Sequence, residues 1–148
     1  MQVIRAFLAW LSGANSRLSW LEKQVLDCVR ARLDDRIRYL WDRQVQTINK
    51  VQRLPNGVEV DFYRMSNGRP SFDGSIAFPN KREVALATVS IEMNGLGTLD
   101  ATVWSVNGFM FSIEYKGSVG DFEEAAAGMD PLPGFRISCG LTADLLAA

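Results

Sequence analysis

The stretch from Val84 to Lys116 constrains this chain more than any other part of it. Apolar and polar residues alternate along it, the pattern of strands with one face in a core and the other in water. Val106-Asn107-Gly108-Phe109 interrupts the alternation with a two-residue hairpin signal. Both turn positions of such a hairpin need positive φ, which Asn-Gly adopts at low cost. Folding about that turn predicts Trp104 opposite Phe111, Thr102 opposite Ile113 and Asp100 opposite Tyr115. The loop Asn94-Gly95-Leu96-Gly97 closes the preceding hairpin, so a three-stranded meander is expected. Its predicted core face carries Ala85, Ala87, Val89, Ile91, Trp104, Val106, Phe109, Phe111 and Ile113. Ser90, Glu92, Ala101, Ser105, Ser112, Glu114 and Lys116 fall on the solvent face. A one-residue slip inverts every side chain, so this register decides where any site lies.

Upstream the apolar period changes from two to about 3.6 residues. Ser19-Trp20-Leu21-Glu22 has the form of a capping box, in which Ser accepts a backbone N–H and Glu reaches back. From there Leu21, Val25, Cys28, Val29, Leu33, Ile37, Leu40, Trp41 and Ile48 recur at steps of mostly three and four. The pattern fits one helix of about eight turns, or two helices broken at Asp34-Asp35, ending between Thr47 and Arg53. Val3, Ile4, Phe7, Leu8 and Leu11 predict an earlier amphipathic helix, broken off at Ser12–Ser16. The apolar run there is shorter than the roughly 7–15 residues of a signal-peptide core. No run approaches the about 20 apolar residues of a membrane span.

Leu54-Pro55-Asn56-Gly57 is turn chemistry, and Val58–Arg64 reads as a strand. Ser66–Pro79 is expected to be a long loop with a short strand at Ser75–Phe78. Asp121–Gly128 predicts a short helix capped by Asp121, and Asp130–Gly134 a stop. A last strand at Phe135–Cys139 and a terminal helix at Thr142–Ala148 complete the expectation. The sum is a single α+β domain over 1–148, helical in 1–50 and sheet-rich in 51–148. N-terminal helices pack on one face of a mostly antiparallel β-meander sheet, with a short C-terminal helix.

The composition narrows the chemistry. The chain has no histidine, so the commonest general base and metal ligand are both missing. Ser-His-Asp and Cys-His systems cannot be assembled within it. Its two cysteines, Cys28 and Cys139, are 111 positions apart and neither lies in a CxxC. They are read as free thiols in a reducing, cytoplasmic setting, with no disulfide, metal or cofactor. Asn94–Gly97 and Gly117–Gly120 match no phosphate-loop pattern and are read as turns.

Charge is segregated. Residues 1–53 hold ten Lys and Arg against five Asp and Glu, and residues 54–148 hold six against twelve. Arg32, Arg36, Arg43 and Lys50 recur at helical steps and predict a basic strip; Asp121, Glu123 and Glu124 form an acidic counterpart. Nucleic acid is disfavoured, because the aromatics are expected in the core rather than among exposed cations. The leading expectation is a small non-enzymatic domain that binds another protein through one of these surfaces, in an inhibitor- or immunity-like role or as an adaptor. Exposed sheet edges permit a homodimer without requiring one. The alternative is a small-molecule-binding or weakly catalytic domain with a pocket over the sheet, in which Asp100 and Tyr115 work as a cross-strand pair. A cavity of a few hundred Å³ reaching Asp100 favours that alternative.

Overall fold

The computed structural model describes residues 18–128 and 134–147. The helix expected over Val3–Leu11, its break at Ser12–Ser16 and most of the Asp130–Gly134 stop lie outside these residues. The first described helix, α1 (Trp20–Arg30), opens on the capping box: Ser19 Oγ accepts the Glu22 amide at 3.0 Å, and Glu22 Oε1 accepts the Ser19 amide at 2.8 Å. The Asp34 carboxylate accepts the Ile37 amide at 3.0 Å and starts α2 (Asp35–Thr47). Of the two helical readings, the one broken at Asp34 is therefore the one realised.

Directly after α2, β1 (Lys50–Arg53) runs through the Pro55–Gly57 turn into β2 (Glu59–Tyr63). The sequence gives β1 no clear alternation, and only its pairing with β2, Val51 against Phe62, makes it a strand. A small hairpin of β3 (Met65–Ser66) and β4 (Arg69–Pro70) occupies part of the expected loop. A single 3₁₀ turn, Gly74–Ile76, lies where a strand was expected at Ser75–Phe78. Then follow β5 (Val84–Met93), β6 (Gly97–Val106), β7 (Phe109–Lys116), α3 (Val119–Gly128) and β8 (Arg136–Leu141). Six strands form one sheet in the order β1-β2-β7-β6-β5-β8, every neighbouring pair antiparallel. With two N-terminal helices and a short C-terminal one among the described residues, the fold is α+β.

The meander forms, but β6 is turned over relative to the expectation. The β5–β6 turn pairs Met93 with Gly97 and takes three residues instead of four, with Gly95 and Gly97 at φ 85° and 80°. At the other end Asn107 and Gly108 adopt φ 56° and 82°, and Val106 pairs with Phe109 as Asn-Gly demands. One pair further on the register shifts: Ser105 faces Met110 but Trp104 faces Ser112, leaving Phe111 as an extra residue. On the opposite flank Leu86 is the extra residue between the pairs Ala85–Trp104 and Ala87–Val103. Each such bulge reverses the alternation of its strand.

Leu99, Ala101, Val103 and Ser105 consequently face the helices and are buried, while Asp100, Thr102 and Trp104 point to the open side. The expected dry face containing Trp104 and Phe111 is thus corrected. Three apolar neighbours on β6 outweigh one indole, because a Trp can rest half-buried with its N–H satisfied. Trp104 Nε1 donates to Glu114 Oε1 at 3.1 Å, and Phe111 packs edge-on against Tyr63.

The core between helices and sheet includes Leu21, Val25 and Val29 of α1, Ile37 and Trp41 of α2, and Phe62, Ile91, Leu99, Val103 and Ile113 of the sheet. Full burial of each large apolar side chain contributes about 1.5–3 kcal/mol. α1 lies against β8 and β5, and α2 against the Gly74–Ile76 turn and β7. Helix α3 starts at Val119, so Asp121 lies in its first turn and not at its cap. Residues 142–147 form a turn instead of the expected helix: Asp144 Oδ1 accepts the Leu146 amide, and Asn80 binds the carbonyls of Asp144 and Leu145.

Candidate functional site

The site is organised by one buried polar side chain. Gln44, in the last turn of α2, is fully buried and satisfied. Its Nε2 donates to the carbonyls of Ile76 and Gly108 at 2.8 and 2.9 Å, and its Oε1 accepts the Met110 amide at 2.9 Å. Those bonds fasten both the Gly74–Ile76 turn and the β6–β7 hairpin to the end of α2. Buried polar networks of this kind fix one arrangement when every member is satisfied.

Beside Gln44 lies Arg64, just past β2 and only 7% exposed. Its Nε donates to the Gln44 carbonyl at 3.3 Å, one of the carbonyls a helix end leaves open, and its guanidinium lies over the Phe109 ring at 5.1 Å. Among the described residues Nη2 has no hydrogen-bond partner. Burial lowers the Arg64 pKa to about 10, so it is still a cation at neutral pH. No carboxylate forms an ion pair with it among the described residues. A buried charge left in this way costs several kcal/mol in proteins. Arg64 lines a pocket of about 180 Å³ with the hydroxyl residues Thr47, Ser66 and Ser71, and with Asp73 and Phe109. The Asp73 carboxylate is turned to Ser75, whose hydroxyl and amide hold its pKa below the usual range, with Arg43 adding to the effect.

The exposed face of α2 leads to that pocket. Arg36, Tyr39, Arg43 and Thr47 follow one another at steps of three and four, and such residues share a helix face. Tyr39 is 60% exposed; Arg43 Nη1 donates to its hydroxyl at 3.0 Å and the guanidinium lies 5.8 Å from its ring centre. Neither Arg36 nor Arg43 forms an ion pair among the described residues, whereas Arg30 and Arg38 are paired with Asp42 and Asp35. Phe72, 47% exposed, packs edge-on against Phe109 at the pocket. The result is a cationic and aromatic surface with a buried guanidinium at its foot that no described carboxylate pairs.

The predicted basic strip is divided by the break at Asp34. Arg36 and Arg43 stay together. Arg32, in the turn between the helices, lies instead beside Cys139, and Lys50 lies on β1 over the Tyr63 ring at 5.7 Å. Tyr39, Phe72 and Arg64 were not singled out from the sequence. Tyr39 carried a legible signal, an aromatic one helical turn from each of two arginines. Arg64 carried none, since its burial follows from tertiary packing.

Of the acidic residues, Asp121 and Glu124 are exposed, while Glu123 is half-buried and accepts the Ser19 hydroxyl at 2.7 Å. Burial, against that hydrogen bond, raises the Glu123 pKa. It belongs to an internal group: Glu22 is buried and takes two bonds from Arg53, at 2.8 and 2.9 Å. Tyr115 is buried beside them with its hydroxyl unpartnered among the described residues, its pKa raised by burial and then by Glu22 and Glu123.

Asp100 and Tyr115 therefore do not form the expected pair. The register sets Asp100 against Lys116 and Tyr115 against Ala101, so the two lie on opposite faces of the sheet. Asp100 does line a groove of about 440 Å³ on the open face, together with Thr88, Ser90, Thr102, Lys116 and Ser138. Elsewhere on that face Asp61 is 8% exposed with Oδ1 unpartnered among the described residues, and burial, then the neighbouring Glu59 carboxyl, push its pKa up to about 7. Among the described residues no group of three or more Cys, Asp or Glu is placed to hold a metal ion, and no helix is long and apolar enough to cross a membrane. No protein-family model matches the chain, and neither does any curated protein or solved structure.

Proposed function

We propose that this is a binding domain whose ligand is another protein, and that the α2 face receives an acidic surface of that partner. The carrying observation is Arg64: a nearly buried cation with, among the described residues, an unused donor and no carboxylate partner, and with a pocket beside it at the end of a face bearing Arg36, Tyr39 and Arg43. Exposed Tyr and Arg are the residue types that most often dominate binding energy at protein interfaces. An aspartate or glutamate side chain of the partner supplies the missing countercharge at Arg64, while Arg36 and Arg43 steer the approach. An inhibitor- or immunity-like domain, or an adaptor, is the role this reading supports.

Photo-crosslinking tests it. A benzoylphenylalanine in place of Tyr39 is expected to trap a protein adduct, and Arg36→Glu with Arg43→Glu to abolish it while the melting temperature holds. An adduct indifferent to charge reversal, or obtained equally from distant Leu96, refutes the assignment.

The second reading rests on the groove at Asp100, which is large enough for a small polar ligand. In that reading Asp100 and Lys116 bind and Tyr115 takes no part. Asp100→Asn is then expected to lose ligand-dependent stabilisation, and no loss removes the reading.

A further inference from the structure

The only two cysteines of the chain, separated by 111 positions, meet in the fold. Cys28 comes from α1 and Cys139 from β8, where it pairs with Val89 on the helix-facing side of the sheet. Their sulfur atoms are 3.1 Å apart, and both residues are free and half-buried. A disulfide needs the sulfurs at about 2.05 Å, about an ångström closer than they stand. Half-burial leaves the pair open to a small oxidant from one side.

We propose that Cys28 and Cys139 form a modification site: an intrachain disulfide that ties α1 to the edge strand β8, made by exchange with a small disulfide oxidant such as oxidised glutathione. Cys28, as thiolate, attacks one glutathione sulfur; the glutathione S–S bond breaks and one glutathione leaves. Cys139, as thiolate, then attacks the Cys28 sulfur of the mixed disulfide and releases the second glutathione. Two electrons pass from the cysteines to glutathione, and the two thiol protons end on the two released glutathiones. Burial, then Cys28 itself, pushes the Cys139 thiol up to about 12, and Arg32 beside it works in the opposite direction. The part of that rise due to the Cys28 thiol is gone once Cys28 is bound in the mixed disulfide, the stage at which Cys139 attacks, while Arg32 stays beside it.

The structural consequence follows from position. Among the described strands β8 is bonded only to β5, and edge strands are the parts of sheets most open to foreign pairing. A covalent link to α1 holds that edge in place. It also constrains the unfolded chain over 111 positions, the long-loop case in which a crosslink has most effect. The proposal is independent of the binding role assigned to α2.

The test uses the folded wild-type chain, incubated with oxidised glutathione and then alkylated. Intact mass is expected to show loss of two hydrogens and no alkylation, and peptide mapping a link between positions 28 and 139. The melting temperature is expected to rise by about 10 °C and to return on reduction. Cys28→Ser and Cys139→Ser are each expected to remain unlinked and to show no rise. Complete alkylation of both cysteines after oxidation, persistent glutathione adducts on the wild type, or disulfide-linked dimers overturn the proposal.

Discussion

Replacing Arg64 with methionine separates a binding role from a structural one. The substitution keeps an unbranched side chain of similar reach and removes the charge. It loses the bond to the Gln44 carbonyl, which is long at 3.3 Å and so lies at the low end of the about 1.5–3 kcal/mol of bonds to charged groups. It loses the contact with the Phe109 ring, about 0.5–2 kcal/mol, and the favourable end of the α2 dipole, about 0.3–1 kcal/mol. Against these stands relief from holding a guanidinium 7% exposed with, among the described residues, one donor unused and no countercharge, which amounts to several kcal/mol. The balance for Arg64→Met is neutral to about 2 kcal/mol stabilising, since buried ionic groups replaced by apolar ones of similar volume often gain stability. Arg64→Ala, which also empties volume, is expected to lose about 2–4 kcal/mol. Urea unfolding at pH 7, followed by tryptophan fluorescence, measures both. Sodium acetate, compared with sodium chloride at equal ionic strength, is expected to raise the melting temperature of the wild type but not of Arg64→Met. A loss above about 3 kcal/mol in Arg64→Met, with no acetate response in the wild type, makes Arg64 a helix cap and refutes the reasoning.

Gln44→Ala removes the partner of the Ile76 carbonyl and the Met110 amide, leaving Gly108 its bond from Phe78; a loss of about 2–5 kcal/mol is expected in the same urea assay. Gly108→Ala needs a side chain at φ 82° with its Cβ 2.7 Å from the Phe78 carbonyl oxygen, so thermal melting should fall by the equivalent of about 2 kcal/mol or more. Asp61 binds its proton more tightly folded than unfolded, so its contribution to stability declines as pH rises from the ordinary carboxylate range through about 7. Asp61→Asn should therefore stabilise by about 1–2 kcal/mol at pH 8 and change little at pH 4, as read from melting curves at the two pH values.

Local chemistry was legible wherever a few neighbouring residues decide the outcome. Ser19 with Glu22, Asp34, and Asn107-Gly108 each act within four positions, and each built the cap or turn that its side chains and φ preferences favour. The α+β class followed from the change of period between α2 and the strands. The face of β6 did not follow. It rests on the three-residue β5–β6 turn, which sets Leu99, Ala101 and Val103 against Ile91, Val89 and Ala87, and on the extra residue Phe111, which brings Tyr115 and Ile113 of β7 against Ala101 and Val103. The same inversion moved Asp100 to the open side and separated it from Tyr115.

The amino-acid order by itself determined the helix starts, the hairpin tip, the exclusion of histidine chemistry and the cationic character of α2, because these depend on residue identity and short-range backbone preference. Only the tertiary structure decided that Arg64 is buried, that Glu123 turns inward to Ser19, and that Cys28 meets Cys139. Burial and long-range proximity are set by how sheet and helices pack, and that packing balances many distant apolar contacts at once, which no short window of sequence contains.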